Sequence, residues 1–238
     1  MLDYDKEADG YDATRGGEPR AAAAADAVLA LVPDDARSLL DLACGTGIVT
    51  RRLAAGRPGL RVTGMDAAYG MTRRAAVRLP GAVVLADCRQ LPFPGGSFDA
   101  VSVIWLLHLL DDAGPVVAEA ARVLRPGGVL VTTVDKAVAH HVGSDMDALA
   151  APYRTERAAD GAERVTAYAA GHGLAPSGTA RFRGHGQGRT PRRVAHSIRT
   201  GELYASGGLQ LADRIETLPD PDVPRQEPEF TLRAYRKA

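Results

Sequence analysis

Three acidic residues, each following a short apolar run, give the chain its clearest chemical pattern. The first lies in Leu39-Leu40-Asp41-Leu42-Ala43-Cys44-Gly45-Thr46-Gly47, where an apolar strand runs into a glycine turn that opens a helix. Small residues at such a turn let the backbone approach a ligand closely, and the amides of the helix N-terminus face it. Asp66 closes Val62-Thr63-Gly64-Met65-Asp66, the place where doubly wound folds put a carboxylate that accepts hydrogen bonds from a ribose diol. Asp87 follows Ala82-Val83-Val84-Leu85-Ala86. It could accept an adenine amino group while the backbone of Cys88 addresses the ring nitrogen. The Cys88 side chain itself reads as a small packing residue, since no basic partner is fixed beside it. Glycine turn, ribose acid and adenine acid together describe a nucleoside site along the carboxyl edge of a parallel sheet.

Such an edge needs alternating strands and helices. Strands are expected at about 38–43, 61–65, 82–86, 98–104 and 128–134, with helices between them. An alanine-rich helix at about 18–31 precedes the first strand. A helix at about 115–124 begins on Pro115 and is closed by Arg125-Pro126-Gly127-Gly128. Beyond Val134 the alternation loosens. Residues 135–169 read as helical with breaks, 178–183 as a strand, 191–199 as a helix and 230–236 as a last strand, which suggests an antiparallel edge. The run Gly184-His185-Gly186-Gln187-Gly188 has no helix directly after it and reads as a mobile loop.

The 238 residues are 45% hydrophobic, with 29 basic and 29 acidic side chains. That suits one domain, and the balanced charge gives no long-range pull toward nucleic acid or an anionic membrane. A local basic stretch, Arg181 to Arg199, reads as a solvated face. Two cysteines make no disulfide framework, no apolar run spans a bilayer, and the first residues lack a secretion signal, so a cytoplasmic protein with a small-molecule partner is expected.

Four blocks in order and spacing resemble the class I S-adenosylmethionine-dependent methyltransferases, in particular the ubiquinone/menaquinone-biosynthesis type and its relatives in bacterial natural-product pathways. They are 40–47, 62–71, 87–93 running on to 97–101, and 122–128. The resemblance implies an α/β fold with a doubly wound, seven-stranded, Rossmann-like sheet in order 3-2-1-4-5-7-6. Strand 7 would be antiparallel and the layers αβα. It divides a single domain into a helical lid (1–34), a cofactor core (35–135) and a substrate-side remainder (136–238). It implies S-adenosylmethionine as cofactor, leaving as S-adenosylhomocysteine. Gly45 and Gly47, with Ala43 and Cys44 beside them, would line the methionine moiety; Asp66 and Ala67 would meet the ribose, and Asp87 and Cys88 the adenine. Met71 would pack on the purine, and Ile104 and Trp105 would floor the sulfonium. Ala43 departs from the family's pattern, which has glycine there; altered affinity rather than lost binding is expected unless that residue needs a positive φ. Upstream, Tyr11 could cap the sulfur side and Arg15 the carboxylate, or their helix is a solvated amphipathic one. The segment 1–17 has few apolar side chains and is expected to be mobile until ligands bind.

For a base that manages the acceptor's proton, His108 stands where the family carries a Leu-His segment, though a buried structural histidine fits that apolar run equally. His140 and His141 form a second candidate pair; no third ligand at suitable spacing completes a metal site with them. A nicotinamide oxidoreductase would share the glycine turn and Asp66, yet Thr50 stands at the third glycine of Gly-x-Gly-x-x-Gly. A non-methylating descendant of the fold, such as a cyclase, also stays open.

Overall fold

The structure, a computed structural model, describes residues 3–153, 158–201 and 207–238. Residues 1 and 2 of the expected lid, and 154–157 of the stretch read as broken helix, lie outside the described residues. Among the described residues no helix is long and apolar enough to cross a membrane.

Seven strands form one sheet: β1 (Ser38–Leu42), β2 (Arg61–Asp66), β3 (Val83–Leu85), β4 (Phe98–Val103), β5 (Leu124–Val134), β6 (Leu174–Arg183) and β7 (Glu229–Lys237). Their order is β3-β2-β1-β4-β5-β7-β6. The first five are parallel, and β7 runs antiparallel to both β5 and β6, as the resemblance implied. Alternation sets the layers. Leu40, Leu42, Val101 and Val103 face one core with α6 (Gly114–Val123) and α8 (Ala162–Gly171). Leu39, Val62, Ala100 and Val129 face the other, with α3 (Gly17–Leu29) and α4 (Ile48–Gly56).

Two strands begin earlier than the sequence suggested. Phe98 pairs with Leu124 and Ala100 with Val129, so residues 125–128 bulge out inside β5 rather than preceding it. β6 starts at Leu174 with an irregularity between Pro176 and Gly178, and it continues the antiparallel ladder past the proline. Among the described residues of the stretch 135–169, α7 (Asp145–Ala150), α8 and short 3₁₀ turns are regular.

A third, smaller core joins α7, α9 (Pro191–Arg199) and α10 (Gly208–Glu216) through Met146, Ala195, Ile198, Leu211 and Ile215. Ser144 and Asp147 make a reciprocal capping box at α7, and the Thr190 hydroxyl caps α9. Residues of this helical cap line one cavity with Asp135 and Lys136, which follow β5.

At the amino end, α1 (Tyr4–Glu7) and α2 (Tyr11–Thr14) lie across the glycine turn. Acidic side chains fasten them. Asp9 pairs with Arg74; Asp5 accepts from the Gly70 N–H at the start of α5 (Tyr69–Arg78), and Asp12 from the Thr46 hydroxyl and Arg78, these three at 2.6 Å. Glu18 holds Arg51 and Arg52 of α4. The sparse apolar content of this segment is thus matched by polar docking, a route that counting apolar side chains does not register. The glycine-rich run 184–188 also has a packing role. Any Cβ on Gly16 would collide with the His185 carbonyl, and a Cβ on Gly186 would lie 2.9 Å from Gly16 Cα. These glycines let two backbones touch where lid and loop meet.

Candidate active site

The carboxyl ends of β1, β2 and β4, the start of α5 and the lid enclose a cavity of about 660 Å³. Its wall includes Tyr11, Ala43, Cys44, Gly45, Asp66, Ala67, Met71, Asp87, Cys88, Ile104, Trp105 and His108. Gly47 and Arg15 do not line it. Gly47, at φ +75°, opens α4, and a Cβ there would meet Ala75 at 3.0 Å, so its smallness serves helix-on-helix packing rather than the cavity wall. Arg15 lies beside Tyr11, its guanidinium 5.6 Å from the ring centroid, and its Nε is buried without a hydrogen-bond partner.

The glycine turn and Asp66 form one wired unit. Asp66 accepts from the Gly45 N–H and the Ala68 N–H, both at 2.9 Å, so the ribose candidate also fixes the turn. Burial pushes its carboxyl above the ordinary value, and those backbone donors oppose the rise. Gly45 sits at φ +56° with open space where a Cβ would project, a cradle shaped for close approach. Ala43 has φ +54°. The condition attached to this alanine is therefore met: an L-residue occupies the left-handed region, at a cost of about 1–2 kcal/mol.

Asp41, in the middle of β1, is 3% exposed and lines the same cavity. The hydroxyls of Thr50 and Ser102 donate to it at 2.6 Å, yet burial still lifts its carboxyl to about 6. Asp87 is the opposite case. Arg89 grips it from side chain and backbone and holds it down at about 2, so it stays ionised at the cavity rim. Burial raises the Cys44 thiol out of the reactive range and the Cys88 thiol to about 11, which leaves both as packing groups at neutral pH.

Sequence reasoning missed Arg20 and Tyr4, which also line the cavity. Arg20 is 4% exposed, with its guanidinium 4.1 Å over the Trp105 ring. The indole in turn packs edge-on against Phe182 and Phe230, with centroids 5.6 Å away. Trp105 is at φ +57°, and its backbone N–H donates to the Thr133 hydroxyl. Arg20 Nε and Trp105 Nε1 are buried with no partner. A helical phase count contains the signal, because Arg20, Ala24 and Val28 share one buried stripe of α3 and a cation on such a stripe needs a reason.

His108 belongs to two cavities. It also lines a second one, of about 420 Å³, bounded by Lys136, His140, His141, Arg189 and the helical cap. Burial, then repulsion from Lys136, lowers His108 to about 3, and its Nδ1 is buried and unpartnered. His140, edge-on to Phe230, is lowered to about 2 by burial, Arg189 and Lys136. The three candidate histidines thus border the second cavity, with His108 on the shared wall.

A doubly wound sheet with a glycine turn, an acid ending β2 and an acid after β3 defines a nucleoside-cofactor protein. Comparison with known proteins carries this further. Residues 40–132 match the family model described as a methyltransferase domain. The chain is 40% identical over 96 residues to the ubiquinone/menaquinone biosynthesis C-methyltransferase of Desulfotalea psychrophila, a match covering 39% of each chain. It is 39% identical over 99 residues to the 27-O-demethylrifamycin SV methyltransferase of Amycolatopsis mediterranei, covering 39% of this chain and 36% of that one. The match thus spans about two fifths of the length of these relatives. In fold it resembles the [4+2]-cyclase SpnF, with a TM-score of 0.63 and 20% identity over 98% of this chain and 93% of that one. The cofactor-binding part of the chain is a class I methyltransferase domain of the ubiquinone/menaquinone type, whose cofactor is S-adenosylmethionine.

Proposed function

We propose that the chain is an S-adenosylmethionine-dependent methyltransferase acting on a small molecule held in the second cavity. One observation carries this reading: His108 lies on the wall common to the cofactor cavity and the 420 Å³ cavity, so a molecule in the latter would adjoin the former. S-adenosylmethionine, when bound, supplies a methyl group activated by sulfonium charge.

The residues present fit that cofactor. Asp66 accepts from the ribose hydroxyls on the carboxylate lone pairs that the turn leaves open, and Asp87 with the Cys88 backbone addresses the adenine. Met71 and Ile104 supply apolar wall. Asp41 suits the cofactor's amino group. Arg20, whose Nε has no protein partner, suits its carboxylate. This assigns to Arg20 the part expected of Arg15, which lies outside the cavity wall. Tyr4 and Tyr11 close the lid side and exclude water, and alignment alone supplies several kcal/mol by making the encounter unimolecular. His108, on the wall the two cavities share and neutral at neutral pH, is the residue assigned to take the acceptor's proton as methyl transfers, a weak base as long as burial and Lys136 hold it down.

Incubating the purified chain with cofactor labelled in its methyl group and a small-molecule extract tests the reading. Label is expected in a small product that also requires the chain. Label retained in the cofactor while another compound is converted would make the chain a non-methylating user of the fold.

A further inference from the structure

We propose that Lys136 and Arg189 form an anion-binding subsite in the second cavity, and that the methyl acceptor carries a carboxylate or phosphate group seated there. The proposal rests on the methyltransferase reading only for the word acceptor; the subsite itself stands on the cavity. Both cations line it, 53 positions apart in sequence. Asp135, at φ +52°, turns the chain out of β5, and the Lys136 N–H donates to Asp160 Oδ2 at 2.8 Å, which fixes the lysine's backbone. Arg189 is fixed by its carbonyl, which accepts from the Arg225 N–H at 2.9 Å, just ahead of the Thr190 cap of α9.

The charged groups around this cavity are engaged unequally. Asp135 accepts from the Ala162 N–H at 3.0 Å, and Asp147 accepts from the Ser144 N–H and hydroxyl. Both acids serve helix starts. Arg225 is gripped by Asp145 at 2.8 and 2.7 Å. Among the described residues, by contrast, neither Lys136 nor Arg189 makes an ion pair, although Asp160 attracts the lysine and Asp147 the arginine. Two desolvated cations facing one cavity repel each other, and burial followed by Arg189 and Arg15 brings the Lys136 amine down to about 8. An anion between them removes that cost and makes charge-assisted hydrogen bonds to both. It also relieves the repulsion that Lys136 exerts on His108 and makes that histidine a better proton acceptor.

The sequence holds only three lysines, Lys6, Lys136 and Lys237, which makes the test direct. Lys6 pairs with Asp3 on the lid, and Lys237 donates to the Ala121 and Leu124 carbonyls, so both are internal controls. Full-length protein with ¹³C-labelled lysine is titrated with inorganic phosphate and, separately, with benzoate, following the three side-chain resonances by NMR. Lys136 should shift saturably with at least one anion, and its titration midpoint should rise, while Lys6 and Lys237 stay put. Response to phosphate alone, or to benzoate alone, names the anionic group. Arg189→Gln should weaken the responding anion about tenfold. A Lys136 signal that moves with neither anion, or no more than the other two, overturns the subsite on wild-type protein alone; an unchanged affinity in R189Q removes Arg189 from it. Separate titration with S-adenosylhomocysteine shows whether the cofactor reading fails independently.

Discussion

The two cavities that meet at His108 are built on opposite principles. In the first cavity the acid Asp66 is bonded to backbone amides of the turn it adjoins, so in the proposed site ligand recognition and local folding would use the same carboxylate. In the second cavity the acids are committed to helix starts, and among the described residues the cations Lys136 and Arg189, which line the space, make no ion pair. The first arrangement needs residues close in sequence at strand ends. The second gathers side chains from 108 to 226, on a 3₁₀ turn, a loop and a helical cap. The matched family segment, 40–132, contains most of the first cavity and, apart from His108, stops short of the second. On the proposed reading a shared ligand would be met by a compact backbone motif, and the ligand particular to this chain by dispersed side chains.

The contrast can be broken most severely at the lid. Deleting residues 1–17 removes Tyr4, Tyr11 and the acids clasping α5, but leaves α3 from Glu18 onward and the sheet. The fold should persist by circular dichroism, while cofactor affinity falls and turnover drops more than a hundredfold once a substrate is in hand. Full turnover by the truncated chain would make the segment a mere tail.

Asp41 tests how deeply the first cavity is desolvated. Its folded carboxyl titrates near 6 against 3.8 for the free group, so the folded state takes up the proton more readily. The stability cost is complete above about pH 6 and disappears below 3.8. Relative to Asp41→Asn, wild type should therefore gain about 3 kcal/mol between pH 7 and pH 3.5, read by urea denaturation at each pH. A pH-independent difference would place Asp41 in contact with water.

Asp66→Ala sharpens the claim that one carboxylate both folds the turn and binds. Loss of its charge-assisted bonds, about 1.5–3 kcal/mol, should weaken S-adenosylhomocysteine tenfold or more in calorimetry and lower the melting temperature as well. Lowered affinity with unchanged stability would separate the two roles. The smallest effect is expected at Ala43. Glycine relieves the positive φ at some entropic cost, so Ala43→Gly should stabilise the chain by roughly 0.5–1 kcal/mol in urea. Destabilisation would mean that the alanine methyl makes contacts outweighing the strain.

The same contrast explains what the sequence could show. Strands such as Ser38–Leu42 and Phe98–Val103 were legible as apolar runs bounded by turn residues, and the acids ending them followed from that placement. The strand order came from the resemblance. Arg20 was hidden because its meaning lies in helical phase and in Trp105, 85 positions away in sequence but only 4.1 Å from its guanidinium. Lys136 and Arg189 were hidden more deeply. No spacing rule joins two cations that only the antiparallel end of the sheet and the cap bring to one cavity. The helix α10 carried an apolar stripe, Leu211, Ala212 and Ile215, that was left unread among loop-like neighbours. Gly16 and Gly186 mark a backbone contact that composition alone reads as looseness.

The most direct test of the central claim, that strand-end acids and the glycine turn make a site for S-adenosylmethionine, is calorimetric titration of the full chain with S-adenosylhomocysteine and, in parallel, with NAD. Saturable one-to-one binding of S-adenosylhomocysteine with no heat from NAD is predicted. Preference for NAD, or no binding of S-adenosylhomocysteine by folded protein, would contradict it.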